Sequence, residues 1–208
     1  MIPIDSLIPF FVASLLICLA PGPDNIFVLT QAAIGGRRAG YSVMLGLCTG
    51  LLVHTLAVAV GVAALFAASP FAFTALKLAG GAYLLYLAWG AWRAAASKIP
   101  FEQRERIPLR RLYGRGIVMN ITNPKVLLFF LAFLPQFAAP ERGPLPVQVV
   151  TLGGVFIVAV LLVFGTIATV AGSLGEWLAK SDGAQRVLNR IAAVIFVALA
   201  LMLIVQSK

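Results

Sequence analysis

Pro21-Gly22-Pro23-Asp24-Asn25 interrupts an apolar run that extends from residue 7 to residue 31. The run is otherwise long enough to cross a hydrocarbon core of about 30 Å, which needs roughly 20 apolar residues. Proline has no N–H to donate, and its ring clashes with the preceding turn, so this step breaks the helix near mid-membrane. Pro23 then becomes the first residue of a new half-helix, with Gly22 as its cap. Asn123-Pro124-Lys125 does the same to a second run, residues 116–137, with Asn123 as the cap. Broken backbone at this depth is tolerated only where protein or a water-filled cavity covers it.

Four further apolar runs, residues 41–66, 71–92, 147–171 and 187–205, complete a set of six. Composition agrees, because 61% of the 208 residues are hydrophobic and 11% are charged. Soluble domains hold roughly 45–50% and about 25%, so this chain has too few polar residues to clothe a soluble surface. The expected fold is an all-α integral membrane protein of six spans, with helices 1 and 4 broken. Residues 7–31 carry no basic leader and no small-x-small cleavage site, which predicts an uncleaved first span.

Basic residues orient the bundle. Arg37 and Arg38 follow the first span. Arg93, Lys98, Arg104, Arg106, Arg110, Arg111 and Arg115 fill the segment between the third and fourth, and Lys180 and Arg186 lie between the fifth and sixth. The opposite side holds Arg142 and Lys208. The positive-inside rule puts the basic loops in the cytoplasm and both termini outside. The net charge of +9 is thus that of basic cytoplasmic loops. It favours anionic lipid as a neighbour and does not call for nucleic acid.

The long loop, residues 93–115, divides a single transmembrane domain, residues 1–208, into three-helix sets at about 1–95 and 116–208. Three is odd, so the second set enters from the opposite side, as an inverted-topology repeat does. Pro23-Asp24 corresponds to Pro124-Lys125, Leu45-Gly46 to Leu152-Gly153, and Leu76–Gly80 to 189–193, in the same order along both halves. Paired helix breaks at matching positions are the best sequence pointer to a transporter's binding site.

Charges inside a membrane are costly and mark function by default. Asp24 and Lys125 are the deepest, and their equivalent places predict an ion pair across the pseudo-two-fold axis. Asn25 and Asn123 flank them as polar substrate contacts. Lys77 is a further binding candidate, whereas Arg190 lies near enough to its helix end to snorkel. His54, the only histidine, follows Gly46 and Gly50 at four-residue steps. Small residues at that spacing mark close helix contact, so His54 faces protein or cavity. It is the candidate for proton coupling, since imidazole changes charge near neutral pH; a neutral packing role is the alternative. Cys18 and Cys48 are read as small packing residues. No catalytic set, phosphate loop or metal-spaced cluster occurs, so no enzyme activity, metal or cofactor is expected.

The helix 1 break, Lys77-Leu78-Ala79-Gly80-Gly81-Ala82-Tyr83-Leu84, Asn123-Pro124-Lys125 and Phe133-Leu134-Pro135-Gln136-Phe137 resemble the LysE/RhtB family of bacterial lysine exporters and homoserine/threonine efflux proteins. The resemblance covers nearly the whole chain. It implies secondary active efflux of an amino acid or derivative, driven by protons or membrane potential, and leaves the amino acid open. The substrate carboxylate is then expected at Lys125 and half-helix N–H groups, and its ammonium at Asp24, with the two repeats rocking in alternating access. A divalent metal exporter and a non-transporting assembly or redox protein are the other readings. Gly-rich helix faces would permit a homodimer.

Overall fold

The computed structural model describes residues 2–68, 70–94 and 107–205, and the side chains of those residues except 62–68, 70, 72–73, 172–180 and 182. Lys98, Arg104, Arg106 and Lys208 lie outside the described residues, as does the Lys180 side chain. Among the described residues every regular element is helical.

The first apolar run folds as two helices, α1 (Ile4–Leu19) and α2 (Pro23–Gly35), bent by 62° at the break. Gly22 caps α2 and Pro23 opens it, as the proline chemistry predicts. Gly36, at φ 79°, turns the chain directly into α3 (Arg37–Ala68). This left-handed backbone is one that glycine adopts without steric cost. After α3 comes α4 (Pro70–Arg93).

The second broken element is α5 (Leu109–Ile121) followed by α6 (Pro124–Leu128), with 49° between α5 and the segment Pro124–Phe137. Here α6 widens into a π-helical turn, Phe129–Phe133, and then tightens into a 3-10 turn, Leu134–Phe137. Pro135 lies in the tight turn and supplies no N–H to the ladder. The Gln136 side-chain amide donates to the Ala132 carbonyl at 3.2 Å, so an acceptor at this irregularity is served from a side chain. α7 (Leu145–Lys180) and α8 (Asp182–Val205) complete the chain.

Among the described residues three segments are long and apolar enough to cross a membrane alone: Arg37–Gly61, Leu145–Ala171 and Gly183–Val205. The two bent pairs pass together, which makes five. α4, expected as a sixth, has 24 residues and so about 36 Å of length at 1.5 Å per residue. Among the described residues it is not one of these five.

The segment 93–115, expected as a loop, turns helical from Leu109. Arg110, Arg111 and Arg115 lie exposed on α5 while Leu112 is fully buried. These arginines therefore clothe the open face of a helix whose other face packs on α3. That packing is very close, because a Cβ on Gly46 would meet the Tyr113 carbonyl and one on Gly116 would meet the Val43 carbonyl. α3 also packs on α7, and α4 on α8. Between α1, the π-helical turn and α7 lies an aromatic cluster: Phe129 stacks on Phe133 at 4.7 Å and meets Phe156 at 5.0 Å, and Phe10 meets Phe137 edge-on at 5.2 Å.

Candidate functional site

The break between α1 and α2 frees the last carbonyls of α1, and each freed acceptor needs a donor. Asn25 Nδ2 donates to the Cys18 carbonyl at 2.7 Å. The Lys125 ammonium donates to the carbonyls of Ile17 and Ala20, at 3.4 and 3.3 Å. A cation at the carbonyl end of a helix is also favoured by the helix dipole. Lys125 thus reaches out of its own half-helix into the break of the other.

Asp24 meets it there. Lys125 Nζ lies 3.3 Å from Asp24 Oδ1, and both residues are buried. Asp24 sits in the first turn of α2, where the positive end of the dipole favours a carboxylate. Gly22 leaves room for the pair: a Cβ there would lie 2.8 Å from Asp24 Oδ1 and 3.0 Å from Lys125 Nζ. The second break is closed by Asn123, whose Oδ1 accepts from the Lys125 backbone N–H at 3.0 Å. The predicted caps and the predicted partners therefore meet at one place.

The pair borders a small cavity, with about 10 Å³ open to the centre of a water-sized sphere. That is room for about one water and not for an amino acid. Asp24, Lys125 and Asn120 supply its polar lining; Ile17, Leu47, Phe156, Val160 and Phe164 are among its apolar walls. The structure is thus closed around the ion pair.

The other candidates are placed differently. Asn25 and Asn123 are spent partly on closing the breaks, yet Asn25 Oδ1 and Asn123 Nδ2 are buried without a hydrogen-bond partner. Lys77 is half-buried on α4 and is not among the residues lining the cavity. Arg190 is exposed, its guanidinium 5.5 Å from the centre of the Trp92 ring, as expected of a side chain reaching the interface. His54 is buried on the Gly46–Gly50 face. Its Nε2 donates to the Asn120 carbonyl at 3.2 Å, and its ring lies 5.7 Å from that of Phe130. It faces protein, as the glycine spacing predicts.

Asn120 is the residue that sequence reasoning missed. It is buried, lines the cavity and leaves its Oδ1 without a partner. The available signal was an amide one turn before the cap Asn123, inside an apolar run. Among the described residues no group of three or more His, Cys, Asp or Glu side chains is placed to hold a metal ion.

The LysE type translocator family model matches residues 15–207. The homoserine/homoserine lactone efflux protein of Salmonella typhimurium is 35% identical over 187 residues, 90% of each chain. An uncharacterized membrane protein of Vibrio cholerae is 28% identical over 194 residues, 93% of this chain and 94% of that one. The leucine efflux protein of Salmonella typhimurium is 31% identical over 140 residues, 64% of this chain and 65% of the relative. No solved structure matches this chain.

Proposed function

The chain belongs to the LysE type translocator family, and on that premise we propose that it carries an amino acid or close derivative outward across the bacterial inner membrane. The resemblance drawn from the two helix breaks is borne out, and proteins of this family are transporters and not enzymes. Relatives named for homoserine, homoserine lactone and leucine efflux support an amino-acid cargo.

The buried Asp24–Lys125 pair between two broken helices carries the reading. One carboxylate and one ammonium are the complement of a zwitterion. On binding, the substrate ammonium replaces Lys125 at Asp24, and the substrate carboxylate replaces Asp24 at Lys125 and accepts from the Asn123 amide. Neither the empty nor the loaded site then holds an uncompensated buried charge, the costly condition for such a pair. Both end states are accessible, which alternating access requires.

Six spans in two inverted sets, residues 1–95 and 116–208, suit this mechanism, with both termini outside. The pairing of α3 with α7 and of α4 with α8 is what a pseudo-two-fold axis would produce. Export is secondary active, driven by protons or by membrane potential, with His54 as the proton-coupling group.

The test is efflux from liposomes containing the purified protein and loaded with labelled homoserine, leucine, threonine or lysine, under an imposed pH gradient or potential. Gradient-dependent efflux of at least one amino acid is expected, reduced at least tenfold by Asp24→Asn or Lys125→Gln. Liposomes that move manganese and none of the amino acids would overturn the proposal.

A further inference from the structure

We propose that Asn120 is a substrate-recognition residue: its buried side-chain oxygen joins Asp24 in holding the substrate ammonium, in a site whose walls select an uncharged, apolar side chain. This rests on the amino-acid export reading above and goes beyond it in naming a residue and a substrate class.

Asn120 is 3% exposed, and its Oδ1 has no hydrogen-bond partner. Buried polar atoms are almost always paired, so an orphan beside a cavity calls for an explanation. Asn120 shares that cavity with Asp24 and Lys125. A carbonyl-type oxygen can accept from an ammonium and cannot pair with a carboxylate, which assigns it to the amino end of a zwitterion.

The surroundings hold the amide in place. A Cβ on Gly50 would lie 2.7 Å from both Cβ and Oδ1 of Asn120, so the absence of a side chain at position 50 is what admits the amide. The backbone carbonyl of Asn120 accepts from His54 at 3.2 Å and from the Asn123 N–H at 3.1 Å. The residue is thus pinned through its main chain, while its side-chain oxygen is buried against α3 without a partner.

When the site opens to admit substrate, the walls of the cavity would face the substrate side chain. Leu47, Phe156, Val160 and Phe164 line the cavity around the three polar residues. Among the described residues Asp24 is the only buried acid, and Lys125 already balances it. A neutral amino acid preserves that balance and lays its side chain on apolar walls. A lysine-like substrate brings a second cation with no acid to meet it, which is costly at this depth.

The experiment measures KM and kcat for efflux of leucine and lysine from liposomes holding wild-type protein, Asn120→Ala or Asn120→Asp. Wild type is expected to prefer leucine at least tenfold in kcat/KM. Asn120→Ala is expected to raise KM for leucine at least tenfold while kcat changes less than threefold. Asn120→Asp supplies a second acid and is expected to shift the leucine-to-lysine ratio at least tenfold toward lysine. If Asn120→Ala fails to accumulate, the isosteric Asn120→Asp carries the test alone. Wild-type liposomes that move no amino acid would overturn the export reading itself. Active wild type with KM and selectivity within twofold in the variants, or wild type preferring lysine, would overturn this inference and leave export standing.

Discussion

His54 Nε2 lies 3.2 Å from the carbonyl oxygen of Asn120, which ties the middle of α3 to the last turn of α5. A carbonyl only accepts, so the ring donates. His54→Gln keeps a donor and removes the imidazole, whereas His54→Ala removes both. If His54 couples protons to export, each variant flattens the pH dependence between about pH 5 and 8. The Asn120 carbonyl still accepts from Asn123 in either variant, so the hydrogen bond lost in His54→Ala costs about 1 kcal/mol, to which the lost packing of the buried ring adds. Efflux rates across that range check the point, and an unaltered pH profile in His54→Gln would leave the histidine a packing role only.

The contact of α3 with α5 depends on the absence of two side chains. A methyl at Gly116 would strike the Val43 carbonyl and come within 3.1 Å of Gly46 Cα. Backbone cannot swing aside as a side chain can, so Gly116→Ala is expected to destabilise the protein by about 1–3 kcal/mol. Gly114, on the same helix, has nothing within 4 Å of a built Cβ, and Gly114→Ala is expected to be neutral or slightly stabilising. Thermal unfolding in detergent compares the two, and equal Tm values would mean the helices are not held as closely as described.

The helix breaks were legible because a proline behind a glycine or asparagine cap opens a new helix; proline alone is not enough, since Pro9 lies inside the unbroken α1. The meeting of Asp24 with Lys125 was legible because a buried charge in lipid must find its opposite. The start of α5 was not. Arg110, Arg111 and Arg115 carry the charge of a loop, and only the burial of Leu112 between them reveals a helix face. The π-helical turn at Phe129–Phe133 was equally hidden, since an unbroken apolar stretch shows no period from which to tell one helix winding from another. Asn120 went unmarked because an uncharged amide in a span is common, and only its place in the cavity wall and its unpartnered oxygen distinguish it.

Topology can be checked without transport. Reporter fusions at Arg106 and Lys180 should lie in the cytoplasm, and fusions at Arg142 and Lys208 outside. α4 is the element at issue, because it is the expected span that is not among the five found in the described residues. Should α4 fail to cross, fusions at Arg38 and Arg106 would report opposite sides, and fusions at Ser69 and Arg106 the same side. Either result would remove the inverted repeat.

The ion pair gives the sharpest prediction. Breaking a buried pair by removing one partner costs about 3–5 kcal/mol, because the other charge is left uncompensated. Lys125 is partly protected, since it also donates to the Ile17 and Ala20 carbonyls. Asp24 has no such reserve of cationic partners among the described residues. Lys125→Gln is therefore expected to lower membrane accumulation more than Asp24→Asn, and both are expected to abolish export. The double variant Asp24→Asn/Lys125→Gln removes both charges, so its accumulation should exceed that of Lys125→Gln alone. Transport should stay absent, because the groups that meet the substrate's ammonium and carboxylate are gone. Immunoblots of membrane fractions beside efflux rates separate the two effects. A single variant exporting at the wild-type rate would move the binding site away from the breaks. A double variant no more abundant than Lys125→Gln would show that the two charges do not stabilise one another.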